Sequence, residues 1–250
     1  PDSDSFTPSM DEMGEKQEGE PQAHFTVAPF YGGYYRRQVF GRWNAAALKW
    51  ERILVTEQDL PAEKLEDLSI RILSGSVRGG EKMTLPIPYG WTVDRSSIKT
   101  NAPADSVHLT QDENGNIFLK VDAKGIFSYR LRIGRRLNQK PISGSHEVES
   151  TSDRLPKELK DLILETKKAK LSSGAKARLL IKSVREHLEY SNDSSMNAVY
   201  QSDPTKYFER IWQEKKTDCD VANTVAAAVL RAAGIPCRMA TGHYVKSKTA

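Results

Sequence analysis

The stretch from Lys215 to Pro236, KKTDCDVANTVAAAVLRAAGIP, leaves few ways to fold. Asp218 is a good N-cap residue, which places Cys219 at the first helical position. Val221, Ala222, Val225, Ala226, Val229, Leu230 and Ala233 recur at three- and four-residue steps, so one stripe of the helix is apolar. Most of these are Ala or Val, which lets a neighbouring element approach the axis closely. Gly234 stands where a left-handed residue ends a helix, and Pro236 stops any continuation. Cys237 to Val245 then runs on as a predicted strand.

A cysteine at this position has chemical consequences. Unpaired backbone N–H groups and the helix dipole favour negative charge at a helix N-terminus, hence the thiolate, the reactive form of cysteine. The same N–H groups can donate to an oxyanion. Asp218 and Asp220 oppose this, because each disfavours a second negative charge beside it. A strong nucleophile here therefore needs a histidine partner. The alternative for a lone cysteine is a small buried apolar residue. Cys237, just past Pro236 on the strand, is read that way, as a packed core thiol.

Asp218, Cys219, Ala222, Asn223, the run from Leu230 to Pro236, Arg238, and Thr241 to Tyr244 together resemble the transglutaminase-like superfamily of papain-type cysteine enzymes. The family pattern is a cysteine opening a helix, then an LLRAAGIPAR turn, then a strand ending in GY. The resemblance implies that Cys219 takes the nucleophile's place, with no cofactor and no metal. The substrate would be an amide of a protein or peptide, attacked to give a thioester acyl-enzyme. Water or an amine would then resolve it, as in a protease, amidase or acyltransferase. The family's catalytic His and Asp lie on the two strands beyond the GY strand, and the sequence ends at Ala250. The expectation is an incomplete core, a fragment whose His and Asp come from the remainder of the same polypeptide or from a second chain. The family also suggests oxyanion support from a glutamine or an aromatic residue upstream, which nominates Gln213 and Trp212, with Tyr190 behind them. His243 follows Cys219 on the adjoining strand and is a candidate base, although it falls in the GY region. A non-catalytic transglutaminase-like scaffold or protein-interaction module is the rival reading.

The rest of the chain divides by composition. Residues 1–23 hold seven acids against one lysine and few apolar residues, so a disordered acidic tail is expected there. From 24 to 140, short alternating segments follow one another: Leu68 to Leu73, Val107 to Thr110, Ile117 to Val121, and Gly125 to Ile133. An Asn-Gly turn at Asn114 and Gly115 and a proline-broken piece from Lys82 to Trp91 punctuate them. This pattern predicts an antiparallel β-sandwich, which such families often carry before the core. Trp43 to Leu54 fits either a helix or two strand pieces. Residues 141–154 are a linker by composition. From 155 to 250 the periodicity is helical: Leu159, Leu162, Ile163 and Thr166, then Ala177, Leu180, Ile181, Val184 and Leu188 behind a Ser172 or Ser173 cap. After the Asp203-Pro204 start signal come Tyr207, Phe208, Ile211 and Trp212. His187 falls one position off its stripe. The predicted class is thus α+β, a sandwich followed by the first part of a transglutaminase/papain-like core.

Composition excludes other classes. An apolar fraction of 38% with 28% charged residues suits a globular protein with a real core. No run approaches the roughly 20 apolar residues of a membrane span. Residues 151–250 carry eighteen Lys and Arg against twelve acids, yet no aromatic residues interleave with the basic ones. Solvated helix faces are the expectation, not a nucleic-acid partner. No second His or Cys stands at ligand spacing from His108, so no metal is expected.

Overall fold

The computed structural model describes residues 5–6, 25–52, 56–137, 152–191, 193 and 195–245. The acidic stretch 1–23, apart from 5–6, and most of 141–154 lie outside them. The class is α+β, with antiparallel sheets in the N-terminal part and helices in the C-terminal part. The described residues form two compact units that interleave along the chain. One draws on 19–39, 54–145 and 240–250, and the other on 1–18, 40–53 and 146–239.

The first unit is a β-sandwich. One antiparallel sheet runs in the order Trp91–Thr100, Ile126–Arg135, Arg71–Arg78, Phe25–Ala28. The other runs Glu57–Asp59, Val107–Asp112, Ile117–Val121, Lys82–Thr84. Alternation sends Leu73, Val77, Val93, Leu131 and Ile133 of the first sheet inward against Leu109, Ile117, Leu119 and Val121 of the second. Burying each such side chain is worth about 1.5–3 kcal/mol. The Asn-Gly turn forms as expected, with Gly115 at φ 72° and its N–H donating to the Asp112 carbonyl at 2.9 Å. Pro86 splits its segment into Lys82–Thr84 and Ile87–Pro88. The latter joins a three-stranded sheet with Gly33–Phe40 and Met239–Val245.

The second unit is helical. Helix α1 (Lys157–Lys168) buries Leu159, Ile163 and Thr166. Helix α2 (Ser173–His187) starts at a Ser172 cap whose hydroxyl accepts from the Ala175 N–H, and it buries Leu180 and Val184. A short helix α3 (Ser195–Gln201) was not visible as periodicity, since its seven residues SMNAVYQ carry no clear stripe. After a turn at Pro204–Lys206 comes α4 (Tyr207–Glu214), burying Tyr207, Phe208 and Ile211. Helix α5 (Cys219–Ala232) is buried on nearly every side. The Trp43 to Leu54 ambiguity resolves into a hairpin, Arg42–Asn44 with Lys49–Glu51. Trp43 pairs opposite Trp50, and both rings enter the same core as α5. Directly opposite residues of a hairpin share one face of the pleat, so both indoles point the same way.

Helix α5 ends as its sequence predicts. Gly234 has φ 81°, its N–H donates to the Arg231 carbonyl, and the Ile235 N–H donates to the Leu230 carbonyl at 2.9 Å. This is a Schellman closure, sealed by Leu230 and Ile235 in the core. A second glycine matters for a different reason. A Cβ on Gly242 would sit 2.1 Å from the Tyr35 carbonyl oxygen, so the strand Met239–Val245 lies directly on its neighbour's backbone.

These two glycines should fail differently. A Cβ on Gly234 meets nothing within 4 Å. Gly234→Ala should therefore cost only the left-handed strain, about 1–2 kcal/mol. Gly242→Ala forces the backbones apart and should cost about 3 kcal/mol. Urea denaturation of both variants checks this, and equal losses would contradict it.

Candidate active site

The approach to Cys219 is fixed by backbone. Lys215 closes α4 in a left-handed conformation at φ 64°, its N–H donating to the Ile211 carbonyl. Lys216–Thr217 then lies parallel to Glu189–Tyr190, with Tyr190 beside Thr217. The Glu189 N–H donates to the Lys215 carbonyl at 2.7 Å and the Ser191 N–H to the Thr217 carbonyl at 2.8 Å. Asp218 follows as the N-cap. Its buried carboxylate accepts from the Asp220 N–H at 3.0 Å and the Val221 N–H at 2.8 Å through one oxygen, Oδ1. Two of the helix's unpaired donors are thereby satisfied.

The first turn of α5 is also held from the hairpin. Trp50 Nε1 donates to the Thr224 hydroxyl at 3.0 Å, and that hydroxyl donates to the Asp220 carbonyl at 2.8 Å. At the far end of α5, buried Arg231 donates to the carbonyls of Gly41 and Cys237 and lies over the Trp50 ring, 4.8 Å from its centroid. Trp50 thus touches both ends of the helix's inner face.

Cys219 sits at the first helical position, half-buried, with its thiol donating to Asp220 Oδ1 at 3.6 Å. Burial first, then the charges of Asp220 and Asp218, push the thiol up to about 11. The helix dipole, worth about 1 kcal/mol or less at an exposed end, does not prevail. Asp220 is itself pushed up to about 7, by burial first and then by Asp218, against a lowering from its bond to Cys219. Behind them lies Tyr207 of α4, 2% exposed, its hydroxyl without a hydrogen-bond partner. Asp218 Oδ2 and Asp220 Oδ2 are likewise buried and unpartnered. Burial and the two carboxylates raise the Tyr207 phenol far above its usual range.

The other nominated residues fall as follows. Trp212 is half-buried and stacks on His187, centroids 3.6 Å apart at 12°, while His187 Nε2–H donates to the Trp212 carbonyl at 2.8 Å. Gln213 is exposed, and its amide donates to Glu209 one turn back on α4 at 3.4 Å. Tyr190 is exposed on the short ladder. His243 belongs to the β-unit, its ring 5.5 Å from that of Phe25. Cys237 is partly buried and its thiol donates to the Ala227 carbonyl at 3.5 Å, as a packed core thiol would. The periodicity that placed Tyr207 on an apolar face gave no sign that its buried hydroxyl would lie in the field of two carboxylates. Among the described residues there is no cluster of three metal-ligating side chains, and no helix is long and apolar enough to cross a membrane.

The Asp220 carboxyl gives stability a definite pH dependence. Folding raises its proton affinity, so its contribution is fully present below about pH 4 and is lost as pH rises to about 7. Asp220→Asn removes that loss. The variant should resist urea better than the parent at pH 8 and no better at pH 4. Parallel stability curves for the two proteins would contradict this.

Residues 157–249 match the family model described as the transglutaminase-like superfamily. A comparison with curated proteins gives no match. Among solved structures, the periplasmic domain of TgpA from Pseudomonas aeruginosa bound to ethylmercury is similar, with a TM-score of 0.56 at 15% identity, covering 99% of this chain and 84% of that one. A second structure of the same domain gives 0.54 at 14% identity, covering 99% and 82%. At such identity the likeness is one of fold. The match to the transglutaminase-like superfamily model thus takes in 157–249, Cys219 included, and the solved structures share the fold.

Proposed function

We propose that the chain is part of a transglutaminase-like cysteine enzyme in which Cys219 attacks an amide carbonyl of a protein or peptide. The carrying observation is a partly exposed thiol at the first position of a buried, tightly capped helix, inside the segment that matches the superfamily. The sulfur bonds to the carbonyl carbon and the amine leaves with a proton. The resulting thioester passes to water or to a second amine. The Cys219 backbone N–H is the nominated donor for the oxyanion, because Asp218 already takes the Asp220 and Val221 N–H groups.

In this reading the imidazole and carboxylate partners come from residues outside these 250, either the remainder of the polypeptide or a second chain. Support comes from the commitments of the described histidines. His187 is bound to Trp212, His108 is paired with Asp122 at 3.1 Å, and His243 packs on Phe25. A thiol held near 11 needs such an imidazole to reach its thiolate near neutrality. Trp212 and Gln213 support the oxyanion only if the substrate approaches from the side of α4. The 155–250 stretch serves as the catalytic domain, and the 24–140 stretch as a sandwich that accompanies it.

The raised thiol favours one second reading, a transglutaminase-like scaffold that has kept the fold and binds a protein without chemistry. Mass spectrometry separates the two. In the native full-length protein given a peptide amide, an acyl adduct on Cys219 should form, and it should vanish in Cys219→Ala. Ethylmercury, which the TgpA domain binds, is a soft thiol-seeking probe, and its mass should appear on Cys219. Mercuration without any acyl adduct would favour the scaffold.

A further inference from the structure

We propose that Asp220 is a positioning residue that holds the Cys219 thiol in a protonated resting pose. For its functional meaning this rests on Cys219 being the nucleophile.

The geometry has three parts. The thiol donates to Asp220 Oδ1 at 3.6 Å. Asp220 is 7% exposed, and its backbone is tied at both ends: its N–H donates to Asp218 and its carbonyl accepts from Thr224. Its side chain therefore has little freedom to leave the sulfur. Around it stand three buried oxygens without partners, Asp218 Oδ2, Asp220 Oδ2 and the Tyr207 hydroxyl.

Among the described residues, the groups that act on Asp220 and Tyr207 are acids and phenols. Asp218 faces Asp220 from the cap, Tyr207 from α4, and Tyr200 of α3 lies behind Tyr207, with its hydroxyl donating to the Lys216 carbonyl. The Trp50 hairpin brings an indole, which does not titrate. Among the described residues no lysine, arginine or histidine forms an ion pair with Asp218 or Asp220. Two buried carboxylates without a cation cannot both stay ionised at low cost, so one proton is kept between them. Asp218 Oδ1 already accepts from two N–H groups, so Asp220 is where the proton is held. When Asp220 loses that proton, its oxygen becomes a full anion beside the sulfur. The S–H bond then points at an anion, and the thiolate is opposed most strongly.

Consequently the influence of Asp220 on the sulfur should switch on across neutral pH. Iodoacetamide alkylation of Cys219 in the full chain, followed by peptide mass analysis, measures it. Parent and Asp220→Asn should react within about twofold of each other at pH 5.5. At pH 9 the variant should be about tenfold faster, the effect of one pKa unit on the thiolate population. A ratio that is the same at both pH values, or a variant no faster at pH 9, would overturn the proposal. A second measurement needs no variant. In the Raman spectrum of the parent, one of the two S–H bands should move to lower frequency as pH rises through about 7, and two static bands would overturn the proposal equally. Normal pH responses without acyl-enzyme would count against the enzyme reading alone. Flat pH responses with acyl-enzyme formed would count against this proposal alone.

Discussion

The arrangement around Cys219 depends on one hydrogen-bonding event, the closure of α5 by the buried Asp218 carboxylate. A helix that buries almost every side of itself still has to satisfy the donors of its first turn, and water cannot reach them. Asp218 supplies an internal acceptor for two of them. Placing an anion there has an electrostatic cost that falls on its neighbours. Asp220 holds its proton to about 7 and the thiol is pushed up to about 11. The residue that organises the helix start is thus one of those that keep its cysteine quiet.

This resolves a competition that helix geometry alone leaves open. The positive end of a helix dipole favours a thiolate, and many cysteines in that position are acidic for this reason. Here two carboxylates within one residue of the sulfur, together with partial burial, outweigh the dipole. In the proposed chemistry, the ion that makes the nucleophile is formed when an imidazole arrives and not before. A thiol that is silent alone is also a thiol less open to adventitious oxidation.

Much of this was legible from residues. The cap at Asp218, the start of α5 at Cys219 and the glycine closure at Gly234 follow from local chemistry acting over a few positions, and the structure has all three. The sandwich was legible because alternation at Leu73, Leu119 and Leu131 is a local signal too. Helix α3 was not, because seven residues show barely two turns of any pattern. The hairpin of Trp43 and Trp50 stayed ambiguous because its partners are α4 and α5, more than 150 residues later. The unpartnered Tyr207 hydroxyl could not be read at all, since periodicity places a side chain on a face but does not say what its far end meets. Among site candidates, Gln213 and Trp212 are nominated by the family resemblance. The structure gives each a local partner on or near α4.

The bond from Trp50 to Thr224 joins residues 174 apart, and Arg231 reaches back 190 to Gly41. Ribosomes add about 5–20 residues each second. Two tryptophans that end up enclosed must therefore wait on the order of ten seconds or longer for the helices that cover them. The segment recognisable as the superfamily's core, 157–249, is not the segment that closes that core. The nascent chain has to keep an early apolar hairpin from sticking elsewhere until α5 has been made.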